Sequence, residues 1–110
     1  MMYVDFTAGN KDYKLRLNTR NVVVLEKMLG MNPLGIFGEG DRLPTITELV
    51  NILYCSLQQL NHGISLNDAY DIFDAYLEDH TSTDFIPVVL EVYKVSGIIN
   101  GSNTSGDEKN

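Results

Sequence analysis

Five sets of residues in this 110-residue chain have side chains capable of chemistry, and each needs a particular spacing to perform it. The run Gly35-Ile36-Phe37-Gly38-Glu39-Gly40-Asp41 is rich enough in glycine to suggest a phosphate cradle. A cradle of that kind needs a Lys-Ser/Thr pair after the loop and a buried strand before it, and the sequence supplies neither. His62 and His80 sit in different inter-helix turns with no cysteine near them. A metal site would have to borrow a third ligand from the carboxylates, so no metal ligand is assigned.

Cys55 has no neighbouring histidine or lysine in sequence to favour its thiolate, and it reads as a small buried or interface residue rather than a nucleophile. Asp68, Asp71, Asp74, Glu78 and Asp79 offer a concentration of carboxylates. Their helical spacing lacks the alternating ligands and central glycine of a calcium loop, and they read as a solvated helix face. An enzyme using Asp74 and Glu78 as paired acids would need a concave pocket around them. No catalytic residue and no cofactor is therefore assigned, and the chain is read as non-enzymatic.

Eight basic residues against fifteen acidic ones give a net charge of −7. That charge repels a phosphate backbone, and the six tyrosines and four phenylalanines have no basic groove in which to stack bases. Nucleic acid is not an expected partner. One cysteine forbids an intrachain disulfide and fits a reducing compartment. There is no signal-peptide pattern and no apolar run of membrane-span length, so a soluble cytoplasmic protein is expected, with no membrane partner.

The elements that must position these groups are legible from periodicity. Tyr3 to Ala8 and Asp12 to Asn18 alternate with a period of two around Gly9-Asn10-Lys11, which predicts a hairpin with Val4, Phe6, Tyr13, Leu15 and Leu17 inward and Lys14 and Arg16 outward. Asn18 or Thr19 caps a helix from Arg20 to about Leu29, stopped by Gly30, with a continuing strand through the β-branched Val22 to Val24 as the competing reading. Thr45-Ile-Thr-Glu48 is a capping box opening a helix whose stripe is Ile46, Leu49, Val50, Leu53, Leu57 and Leu60, ending at Gly63. Ser65 caps the next, with Leu66, Ala69, Tyr70, Phe73, Tyr76 and Leu77 on one side and the acids on the other. A fourth helix starts near Ser82 to Asp84 and runs to Val95, with Pro87 in its first turn. The expectation is one α+β domain over residues 1–99, a β-hairpin packed on a bundle of about four helices, and a disordered polar tail over 100–110.

Ile52 and Cys55 lie outside the main stripe of the Thr45-capped helix, which is apolar over more than half its circumference. Such a helix is either central to its own fold or docks a partner. Leu34, Ile36 and Phe37 are apolar residues in an otherwise loop-like stretch, tucked into the core or presented outward. These five residues, Leu34, Ile36, Phe37, Ile52 and Cys55, are the sequence's candidates for partner binding.

The hairpin strand YKLRL, the following VVVLEKMLGMNPLGIF, the helix LPTITELVNILYCSLQQL and the helix SLNDAYDIFDAYLED together resemble tail assembly chaperones of long-tailed bacteriophages and prophages of Gram-positive hosts. The likeness spans about Tyr3 to Ile99 and rests on architecture: a strand pair, an LExxLG-like helix end at Leu25, Glu26, Leu29 and Gly30, an apolar loop and two capped helices. It implies a non-catalytic factor in the host cytoplasm that binds the tape measure protein, promotes tail tube assembly and is absent from the finished virion. The tail tube protein and a second copy in a homo-oligomer are the further partners it leaves open. The competing reading is an acidic adaptor or inhibitor that caps a basic host surface by mimicking nucleic acid, whose binding would collapse with salt.

Overall fold

The computed structural model describes residues 1–38 and 42–100; the tail expected over 100–110, apart from Asn100, and the loop residues Glu39, Gly40 and Asp41 lie outside the described residues. In chain order the elements are β1 (Val4–Ala8), β2 (Lys11–Leu15), α1 (Thr19–Leu29), a 3-10 helix (Pro33–Phe37), α2 (Ile46–Leu57), α3 (Leu66–Tyr76) and α4 (Phe85–Val95). The two strands pair antiparallel, with Phe6 opposite Tyr13 and Ala8 opposite Lys11. The fold is α+β, an N-terminal hairpin against four helices.

The hairpin closes through two residues, not three: Gly9 and Asn10 both have positive φ, at 56° and 68°, the backbone of a tight turn whose twist matches that of the strands. Lys11 is therefore the first residue of β2. A Cβ at Gly9 would stand 2.9 Å from the Cβ of Ala75, so the missing side chain also lets the turn rest on α3. The outer edge of β2 is occupied by Asn61, whose carboxamide accepts from the Lys14 N–H and donates to the Lys14 carbonyl at 3.2 and 2.6 Å. One residue pair further on, the Arg16 N–H donates to the Ser56 carbonyl at the end of α2.

Arg16, expected to point outward, is instead half-buried and donates from Nη1 to the Val95 carbonyl at 3.1 Å. A guanidinium there satisfies a carbonyl at the C-terminus of α4, where the helix carries partial negative charge. Beside it the Leu17 N–H donates to Ser96 Oγ at 2.9 Å, so the hairpin's exit is tied to the end of α4.

The helix starts follow the expected chemistry. Asn18 caps α1, and the Thr45/Glu48 and Ser65/Asp68 boxes are closed in both directions. A cap of this kind stabilises a helix by about 1 kcal/mol, enough to fix where each begins. Ahead of α4 a similar exchange joins Thr81 and Asp84, which bond each other's backbone N–H. α2 ends at Leu57, earlier than the expected Gly63, and turns fill the interval.

Nine of the twelve residues of α2 are buried, including Leu49, Val50, Ile52, Leu53, Cys55 and Leu57, and α1, α3, α4 and β2 all pack against it. Phe6, Phe73, Tyr76 and Phe85 interlock at ring separations of 5.0–6.1 Å, fastening the hairpin to α3 and α4. Three members of the predicted α3 stripe, Leu66, Tyr70 and Leu77, are exposed, because the face that α2 and β1 cover is centred on Ala69, Ile72, Phe73 and Tyr76.

Gly9→Ala should lower stability by about 1–2 kcal/mol, since it imposes a left-handed backbone on alanine and drives a Cβ into Ala75. Chemical denaturation measures the change; equal stability of the variant would contradict the turn described here.

Candidate functional site

The five sequence candidates separate into two groups. Ile36, Ile52 and Cys55 are sealed in the core, and as sites of direct partner contact they are corrected. α2 is covered round roughly 260° of its circumference by the rest of the chain, so its wide apolar face is a structural centre rather than a docking surface. Ile36 is the inward side chain of the 3-10 helix. Phe37 is half-buried, its ring set edge-on to Tyr93 at 6.4 Å. Leu34 alone of the five is exposed, at 40%.

The segment that carries Leu34 is built rigidly. Asn32 Oδ1 accepts from the Leu34 N–H at 2.9 Å, and Pro33 fixes the first turn. The buried Tyr93 hydroxyl donates to the Pro33 carbonyl at 3.0 Å. Burial pushes the Tyr93 phenol well up, with the Glu48 carboxylate and Cys55 adding to it, so the proton in that hydrogen bond stays in place.

Arg42 ties this segment to α2. Its guanidinium donates to the Ile36 carbonyl at one end and to Glu48 Oε2 at the other, at 2.7 Å. Burial alone would raise the Glu48 carboxyl, but bonds from Arg42 and from the Thr45 backbone and hydroxyl, with the Arg42 charge, outweigh it and hold Glu48 below its ordinary value of 4.5. The chain that follows Arg42 presents Leu43, 66% exposed, and Ile46, 49% exposed. Ile46 was expected in the α2 core stripe; as the first residue of the helix it projects beyond the elements that cover the rest. Leu34, Leu43 and Ile46 thus make an exposed apolar shoulder on the two segments that Arg42 joins. Periodicity missed it because Leu43 lies outside any helix and Ile46 sits on a core-type register.

A concave feature lies between the hairpin tip and α3, a groove of 390 Å³ floored by Ile64, Ile72 and Ala75 and rimmed by Lys11, Asp68 and Asp71. Burial, and then the charge of Asp68, raise the Tyr13 phenol at its edge. Asp68 is occupied in capping α3, and its bonds from Ser65 hold its carboxyl low, which leaves it ionised and poorly suited to donate a proton. Asp74 on α3 and Glu78 in the turn just after it are exposed and do not line the groove.

Cys55 Sγ lies 3.7 Å from Met28 Sδ, and burial pushes its thiol up to about 12. The thiol is protonated and inaccessible at neutral pH. Among the described residues no three His, Cys, Asp or Glu side chains are placed to hold a metal ion. No helix among them is long and apolar enough to cross a membrane.

Two outcomes follow. Cys55 should resist a thiol-reactive reagent in the native protein and react at full rate in denaturant; fast native labelling would contradict its burial. Glu48→Gln should cost about 1 kcal/mol at neutral pH through the lost cap and arginine contacts. Because the folded carboxyl is held low, that contribution exists above the ordinary value and disappears as pH falls through the folded one. The gap between wild type and variant should therefore shrink below about pH 4 in denaturation measurements, and a gap that widened there would contradict the sign.

Residues 4–109 match a family described as a family of unknown function, DUF6096. No curated protein and no solved structure matches the chain. With the match running over nearly its whole length, the chain belongs to the DUF6096 family.

Proposed function

We propose that this protein is a non-catalytic tail assembly chaperone of a long-tailed phage or prophage, which binds the tape measure protein in the host cytoplasm, promotes tail tube assembly and leaves before the virion is complete. The observation that carries the reading is the apolar shoulder of Leu34, Leu43 and Ile46, exposed on a rigid base. The architectural resemblance of the hairpin, the apolar loop and the two capped helices supports it.

The physics suits a factor that must bind and then be displaced. A few exposed leucine-type side chains on a pre-formed surface offer the apolar face of a client helix a place to dock, with little ordering cost on the chaperone side. A net charge of −7 keeps the loaded complex dispersed. Burying a fully exposed leucine-type side chain is worth roughly 1.5–3 kcal/mol; these three are partly covered already, so each adds a fraction of that and the contacts remain reversible.

The test is co-expression with a tape measure fragment. The fragment should become soluble with the wild-type protein and should stay bound at high salt, because apolar contacts are not screened. The double variant Leu43→Asp with Ile46→Asp should keep its thermal midpoint and lose most of the solubilised fragment. A fragment equally insoluble with and without the protein would defeat the proposal, and binding that vanished with salt would favour the acidic adaptor instead.

A further inference from the structure

A hairpin has two edges, and α2 finishes only the one on β2. There the Lys14 N–H and carbonyl both turn away from β1 to meet Asn61, so Lys14 and Asp5, which face each other across the strands, do not bond one another. In an antiparallel pair such positions alternate, so Thr7, opposite Asp12, stands as Asp5 does. The N–H and carbonyl of Asp5 and of Thr7 therefore point out from the far edge of β1, and among the described residues no hydrogen bond reaches them. Both residues are exposed, while Phe6 and Ala8 are buried and anchor the strand from behind. Among the described residues the Asp5 carboxylate is in no ion pair; Lys14, its cross-strand neighbour, holds Nζ over the Tyr3 ring at 5.0 Å. Just ahead of β1, Met1, Met2 and Tyr3 expose large apolar side chains.

We propose that the β1 edge binds an extended segment of a different protein, which adds to the hairpin as a third strand and sets a lysine or arginine beside Asp5. Outward backbone groups that recur at every second residue, about 7 Å apart, match the donors and acceptors of another strand. A helix spends its own N–H and carbonyl groups internally and has none to offer such an edge. The main chain supplies the attachment in this mode, and side chains supply the selection. Here Asp5 selects, because an opposite charge directly across two strands is favourable and a like charge is not. A second copy would bring another Asp5 and another net charge of −7 to the contact, which disfavours it as the occupant. The edge is pre-formed, since Phe6 is locked against Tyr76 and Phe85, so little ordering is needed on this side.

The β1 edge is separate from the apolar shoulder, so its test uses no tape measure fragment. The probe is a capped octapeptide of alternating threonine and valine, with lysine at one central threonine position, titrated into the isotope-labelled full chain and followed by NMR. In the chain alone the Asp5 and Thr7 amides should exchange quickly and the Phe6 amide slowly; the peptide should shift and protect Asp5 and Thr7 and leave α2 unchanged. Thr7→Pro removes an outward N–H without touching a bond to β2, so it should keep the thermal midpoint near wild type and weaken binding by roughly tenfold. Thr7→Val also loses the Thr7 hydroxyl bond to Asp12, yet keeps the N–H and should bind like wild type. Two peptides N-methylated on alternate amides, one on each set, should divide into one that binds and one that does not. Glutamate in place of the peptide's lysine should weaken binding several-fold, and Asp5→Lys should reverse that preference. Asp5 and Thr7 amides already protected in the chain alone, a peptide that leaves them unshifted, or equal binding of the two N-methylated peptides would each overturn the proposal. A wild-type dimer in sedimentation that Thr7→Pro dissolves would give the edge to a second copy and overturn it as well.

Discussion

Everything in this fold is arranged by the need to cover α2. Only Ile46, Thr47 and Tyr54 escape burial, so the helix cannot rest on one neighbour as an ordinary amphipathic helix does. α1, α3, α4 and β2 each take a share of its surface. The two-stranded hairpin, marginal by itself in water, gains its stability from that arrangement. Its outer edge is finished by polar groups at the end of α2, the Ser56 carbonyl and the Asn61 side chain, in place of a third strand.

The same constraint explains where apolar surface is left over. Covering most of α2 uses the inner faces of α1 and α3, and the helices' remaining sides carry valine, leucine and tyrosine among charges. At the start of α2 the cover runs out, and Ile46 emerges together with Leu43 and Leu34. Arg42 spans this opening, joining the 3-10 helix to the capping box of α2. The chemistry-bearing side chains went the other way: Cys55 into the interior, and Asp68 into a helix cap.

Local signals in the sequence identified the elements well, because caps and periodicity depend on neighbours a few residues apart. The Thr45 box, the Ser65 cap, the hairpin turn at Gly9 and the stop at Gly30 were all readable. What periodicity does not encode is how much of an apolar face a partner element covers. Ile52 and Cys55 sat off the main stripe of α2 and looked available, yet α2's neighbours enclose both. Ile46 fitted the stripe and is exposed, since a register says nothing about where the covering element ends. Arg16 alternated outward in a strand and was drawn inward by a carbonyl 79 residues away in sequence. The candidate surface was accordingly legible at Leu34 and missed at Leu43 and Ile46.

A closed interior that leaves the apolar shoulder as the proposed docking surface is the central claim. Hydrogen exchange read by mass spectrometry, on the protein alone and with a bound tape measure fragment, tests it most directly. The amides of α2 from Leu49 to Leu57 should exchange slowest in the free protein and stay unchanged on binding, while those around Leu34 to Phe37 and Leu43 to Thr47 gain protection. Fast exchange through α2 in the free protein, or new protection confined to α2's interior positions, would contradict it.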